Sequence, residues 1–111
     1  MEPKEPRLTT NHVFLTDRSA ISAGESYVGI IEAYKLGEIV GEPNAGTNGN
    51  IVWERLPGGY RFRWTGTTVL KHDGSQHHDV GIQPTVRVSK TIKGIAEGRD
   101  EQLDKALEML K

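Results

Sequence analysis

The chain has 111 residues, 35% of them hydrophobic, with 13 glycines and 5 prolines. That is enough for one small, turn-rich domain, with less apolar content than a self-contained globule usually carries. Fourteen basic and fifteen acidic residues leave a net charge of −1, and no basic stripe emerges, which argues against nucleic acid or an anionic membrane as partner. The absence of cysteine excludes a disulfide framework and a Cys-type zinc site, and no apolar run has the length of a membrane span.

Residues 1–11 read as an irregular or expression-derived start, and 12–111 as the structured part. His12-Val13-Phe14-Leu15-Thr16 reads as a short buried strand. A turn of small and polar residues follows, and a helix begins near Ser22 or Ala23 and runs to about Tyr34 or Lys35. Ala23, Tyr27, Ile30, Ile31 and Tyr34 recur at helical spacing and are expected to face the core. Gly29 is expected to mark close packing, and Gly37 to cap the helix. Glu38-Ile39-Val40-Gly41 then completes a β-α-β unit, which implies parallel pairing.

Residues 41–50 contain four Gly or Pro and three Asn. That density excludes a regular element, and a loop of this length is either a solvated connection or a binding loop. Beyond it the period changes to two. Ile51–Leu56 and Tyr60–Trp64 flank Pro57-Gly58-Gly59 as a hairpin. Its aromatic face is expected to be buried, with Arg61 and Arg63 on the wet face. Thr67–Leu70 and Thr85–Val88 read as further strands, with a turn at His72–Gln76 between them. Thr91–Glu97 reads as a weak helical turn stopped by Gly98. A final helix is capped by Asp100, with Leu103, Ala106, Leu107 and Leu110 as its apolar stripe. A first strand of buried, parallel character needs neighbours on both sides and cover on both faces. One parallel neighbour and a hairpin do not supply them, so the chain reads as a piece of a larger fold.

Two stretches could carry chemistry. Ser22 sits where a strand turns into a helix. That geometry exposes a hydroxyl and offers backbone N–H groups, Ala23's first, to a developing oxyanion. It is equally the geometry of an ordinary helix N-cap. A nucleophile needs a base, and the candidates in the chain are His72, His77, His78, Asp79 and Glu25; Glu25 reads as a first-turn acid that complements the helix dipole. The other stretch, His72–Asp79, holds three histidines and two aspartates in eight residues. Its spacing fits no established zinc pattern, so no metal and no other cofactor is expected.

The run Ser19-Ala20-Ile21-Ser22-Ala23-Gly24-Glu25 resembles the nucleophile segment of tail-specific, C-terminal processing peptidases, the S41 family. The resemblance continues through Gly41-Glu42-Pro43, the glycine-rich loop, Lys71-His72-Asp73-Gly74, Gly81-Ile82-Gln83-Pro84-Thr85-Val86 and the closing helix. It implies an α/β fold of ClpP/crotonase type, present in part: a β-α-β unit, a hairpin region and a C-terminal helix. It further implies a serine peptidase core with Ser22 as nucleophile and the Ala23 N–H as one arm of the oxyanion hole, the other arm coming from a glycine loop earlier in the family's chain.

Many family members pair this serine with a lysine 25 residues later. That position here is Thr47, between Gly46 and Asn48, so a Ser–Lys dyad is excluded. The tricorn-like branch uses a Ser–His pair supported by an acid, with the histidine well upstream; His12 lies too near the strand to match it. Asp79 is the residue nearest the place of the supporting acid, separated from Gly81 by Val80. The resemblance therefore implies the C-terminal part of such a core, inactive without its upstream part. Gly46, Thr47 and Asn48 would form a substrate-binding loop, and a peptide or protein would be the substrate. The sequence does not give the compartment, though the resemblance favours a periplasmic or extracellular one, and the sheet edge left exposed by the missing part offers a route to a homo-oligomer. The rival expectation is a non-catalytic peptide-binding or scaffolding domain of the same fold.

Overall fold

The computed structural model describes residue 5 and residues 9–111; most of the irregular start expected at 1–11 lies outside the described residues. Strand β1 (Val13–Thr16) leads into helix α1 (Ala23–Tyr34) and strand β2 (Glu38–Gly41). The expected β-α-β unit is present: β1 and β2 are parallel, with Val13 opposite Glu38 and Thr16 opposite Gly41. Strand β3 (Ile51–Arg55) and strand β4 (Arg61–Thr65) form the antiparallel hairpin, Ile51 opposite Thr65 and Arg55 opposite Arg61. Strand β5 is the two-residue segment Val86–Arg87; it pairs parallel with β2 and completes a sheet of order β1-β2-β5. Helices α2 (Ile92–Ala96) and α3 (Glu101–Met109) follow.

The helix ends follow local chemistry. Thr91 accepts the Gly94 N–H at the start of α2, and Asp100 accepts the Leu103 N–H at the start of α3. The C-cap of α1 is not Gly37 but Lys35, which takes the left-handed conformation (φ 50°), while the Leu36 N–H returns to the Ile31 carbonyl. Gly37 has a different task. A Cβ there would lie 2.3 Å from the His12 carbonyl oxygen, so the residue is needed where β2 enters the sheet alongside β1.

The central strand β2 is buried from Ile39 onward. Ile39 joins Val28 of α1 and Ile82 in the apolar core, with Ile31 packed against them, while α3 packs on β1 and β2. β2 is thus covered as a parallel strand requires.

Several expectations of burial are corrected. Tyr27, Ile30 and Tyr34 of α1 are 70%, 50% and 65% exposed, and Ala23 is exposed too; the inward face is Glu25 and Val28, with Ile31 at its border. Helical spacing gives a helix two apolar stripes to choose from, and the sheet covers only one. Every residue of β3 and β4 is exposed, so neither face of the hairpin is buried: Phe62 stacks on Trp64 at 4.9 Å and the Arg63 guanidinium lies 5.5 Å over Trp53, both at the surface. Gly29 is not a point of tight approach, since a Cβ there would meet Ile82 at an ordinary 3.7 Å. Thr67–Leu70 forms no strand; Leu70 makes a single bridge to Gln76. In α3 only Ala106 of the expected stripe is buried, beside Gln102, whose amide donates to the Val88 carbonyl at 3.0 Å.

Candidate active site

Between β1 and α1 the chain turns a sharp corner at Ser22. The Gly24 N–H closes on the Ile21 carbonyl at 3.0 Å, and Ser22 has φ 53° and ψ −116°. Those are the values of the first central residue of a type II′ turn, a place normally given to glycine. A serine held there stores on the order of 1–3 kcal/mol of backbone strain. The residue is exposed, and the following residue, Ala23, is the first of α1, where backbone N–H groups have no intrahelical partner.

Glu25 keeps the corner in place. It is 1% exposed and forms a capping box with Ser22, whose N–H donates to Glu25 Oε2 at 2.9 Å. The same carboxylate reaches across to the loop after β2. Oε1 accepts the Gly46 N–H at 2.5 Å and the Thr47 N–H at 3.1 Å; Oε2 accepts the Thr47 N–H at 3.0 Å and the Thr47 hydroxyl at 3.2 Å. Charged acceptors in low dielectric make the stronger hydrogen bonds, and a buried carboxylate is tolerated only when its lone pairs are matched in this way. The loop is held from its other side by Asn44, 5% exposed, whose Oδ1 accepts the Ile82 N–H at 2.8 Å and whose own N–H donates to the Ile82 carbonyl at 3.3 Å. Gly46, at φ 69°, has the Asp79 and Gly81 amides about it at 3.0 and 2.9 Å from where a Cβ would stand.

On the β1 side, Asp17 accepts from the Ser19 N–H and hydroxyl and from Lys90 Nζ at 3.1 Å. The Ser19 donors first, and Lys90 after them, hold its carboxyl below the ordinary value of 3.8.

The three clustered histidines separate. His72 lies against Tyr34 with ring centres 5.6 Å apart; the His78 ring accepts the Val69 N–H at 3.2 Å; His77 turns inward, 3% exposed, with Nε2 at 3.4 Å from Glu25 Oε1. Among the described residues no three His, Cys, Asp or Glu side chains stand together as a metal would need. Asp79 is exposed, in the left-handed region at φ 61°, and its N–H donates to the Gly46 carbonyl at 3.1 Å. It lines an open depression of about 360 Å³ with Arg18, Asn44, Val80 and Gln83. In the loop, Thr47 is turned to Glu25, and Asn48 donates to the Ser26 hydroxyl at 2.9 Å. The residue that sequence reasoning underrated is Glu25. A first-turn acid was expected; a buried clasp is found. The available signal was the Ser-x-x-Glu spacing of a capping box.

The sequence model of "Peptidase family S41" matches residues 2–88, and the chain belongs to that family. A curated relative from Sulfurisphaera tokodaii, named "Putative Tricorn-like protease C-terminal subunit", is 31% identical over an alignment of 99 residues that covers 87% of this chain and 12% of the relative. Among solved structures, a "putative peptidase" from Parabacteroides merdae superposes with a TM-score of 0.87 at 25% identity, over 99% of this chain and 35% of that one. The tricorn protease superposes with a TM-score of 0.79 at 20% identity, over 99% of this chain and 12% of that one. Mature CPAF in complex with lactacystin gives 0.78 at 22% identity, over 87% and 19%; at this identity the last two speak for the fold alone. The chain therefore spans about an eighth of the curated relative and between 12% and 35% of these solved chains. The fold is the α/β fold of S41 peptidases, present in part.

Proposed function

We propose that this chain carries the nucleophile corner of a serine peptidase, with Ser22 attacking the peptide carbonyl. The carrying observation is the conformation of Ser22 (φ 53°, ψ −116°) on an exposed turn at the head of a helix, a costly arrangement that an ordinary N-cap does not require. In this reading the tetrahedral oxyanion is met by the Ala23 N–H and by a second donor from the upstream part of the chain. A histidine from that upstream part takes the Ser22 proton and returns it to the leaving amine, and water then releases the acyl-enzyme. Asp79 is the supporting acid, and Gly46–Asn48 border the substrate. An extended peptide or protein segment is the substrate, recognised through main-chain groups. The 111 residues alone are inactive, because base and half of the oxyanion hole lie elsewhere. The outer edge of β1, which pairs with no further strand among the described residues, takes up the upstream part or, failing that, a second copy. An exported location accords with the family resemblance.

Thr47 at the place of the family's lysine supports a second reading, a non-catalytic domain that binds or scaffolds peptides. One experiment separates the two. The full-length protein and its Ser22→Ala variant are treated with a serine-directed fluorophosphonate and assayed on peptides. Labelling and hydrolysis that vanish with Ser22→Ala carry the peptidase reading; equal behaviour of the two proteins, or none in either, carries the scaffold.

A further inference from the structure

His77 is a buried titratable residue that the peptidase reading leaves without a task. Its Nε2 stands 3.4 Å from Glu25 Oε1, the two side chains being 4% and 0% exposed, yet the approach is not aligned as a hydrogen bond and Nε2 has no other partner. A buried ring nitrogen left in that state costs about 1–3 kcal/mol, a cost that a purely apolar side chain would avoid.

The surroundings supply a reason. Oε1 is the carboxylate oxygen that takes the Gly46 N–H, while Oε2 takes the Ser22 N–H. The His77 ring therefore abuts the oxygen that takes the Gly46 N–H. The His77 backbone serves the same junction: its carbonyl accepts the Val80 and Gly81 amides at 3.2 and 2.8 Å, and the turn so formed delivers the Asp79 N–H to the Gly46 carbonyl. The segment 77–81 thus grips Gly46 through its backbone and lays the His77 ring against the carboxylate that also holds Gly46. The neighbouring polar side chains are engaged elsewhere: Lys71 pairs with Glu32 at 3.4 Å, and the His78 ring accepts the Val69 N–H at 3.2 Å.

We infer that His77 is a positioning residue. Its ring N–H, turned by a small rotation onto Glu25 Oε1, fixes the carboxylate that holds both the Ser22 corner and the loop at Gly46–Thr47. Its effect on catalysis rests on the peptidase reading; its effect on the clasp does not.

The test uses the full-length protein with His77→Leu, which has no donor, and His77→Gln, whose amide N–H reaches the same oxygen. Hydrogen–deuterium exchange is followed in the segments containing Ser22 and residues 44–48, and kcat and KM are measured on a peptide. In His77→Leu, exchange of residues 44–48 rises about tenfold and kcat falls about tenfold with KM little changed; in His77→Gln both stay within about threefold of the parent. Where His77→Leu fails to fold, His77→Met takes its place. Unchanged exchange in the donor-free variant overturns the inference, and so does an equal rise in both variants. A parent protein that shows the exchange pattern but neither hydrolyses peptide nor reacts with the fluorophosphonate keeps the clasp and removes the peptidase reading.

Discussion

Thr47 gives Glu25 both of its donors: its backbone N–H is shared between the carboxylate oxygens at 3.1 and 3.0 Å, and its hydroxyl reaches Oε2 at 3.2 Å. The position at which many S41 peptidases carry a lysine is thus occupied here by a side chain committed to the corner. Thr47→Lys places an ammonium beside a buried carboxylate, where the two pair with each other. That variant of the full-length protein is expected to hydrolyse peptide no faster than the parent, as a steady-state assay will show. Thr47→Val removes the hydroxyl and keeps the amide, and is expected to cost about 1 kcal/mol in urea unfolding.

Glu25→Ala removes the acceptor of three backbone N–H groups at once. Gly46 is buried, so its N–H finds no water in exchange. Loss of stability of about 2–4 kcal/mol is expected in denaturant unfolding, with any peptidase activity of the full-length protein lost alongside. A change below about 0.5 kcal/mol contradicts the clasp.

Ser22→Gly relieves a backbone conformation that serine adopts only under strain. It is expected to raise stability by about 1 kcal/mol while abolishing fluorophosphonate labelling. Ser22→Ala keeps the strain, abolishes labelling equally and leaves the unfolding midpoint close to the parent's. Opposite movements of stability and reactivity in the glycine variant would mark the corner as built for chemistry.

The two C-terminal helices are joined by a pH-sensitive contact. Glu101 accepts the Thr91 N–H at 2.6 Å and the Thr91 hydroxyl at 2.9 Å, and these donors hold its carboxyl below the ordinary 4.5. A carboxyl lowered in the folded state stabilises above its unfolded value and loses that contribution as pH falls through the folded one. Melting curves from about pH 6 down to about pH 3 are therefore expected to show a shallower acid decline in Glu101→Gln than in the parent.

What could be read along the chain were features set by neighbours in sequence. The hairpin at 51–64, the cap at Asp100 and the strand–helix–strand order at 13–41 all depend on a few adjacent residues, and all stand in the structure. So does the sharp corner at Ser22. Thr85–Val88 shrank to two residues of strand, and Thr67–Leu70 to one bridge, because short apolar runs become strands only where a partner edge accepts them.

Tertiary structure alone decided which surfaces are covered. Tyr27, Ile30 and Tyr34 have the spacing of a core face and stand in solvent, and the aromatic face of the hairpin does likewise, since burial belongs to whatever packs opposite, and the chain spans only a fraction of its relatives. Tertiary structure also turned Glu25 from a helix-dipole acid into the anchor of a loop 21 residues away, and sent His77 inward while His72 and His78 stayed at other posts. Sequence fixes local conformation through short-range sterics and hydrogen bonds; the fate of a charged side chain depends on donors brought to it by the fold.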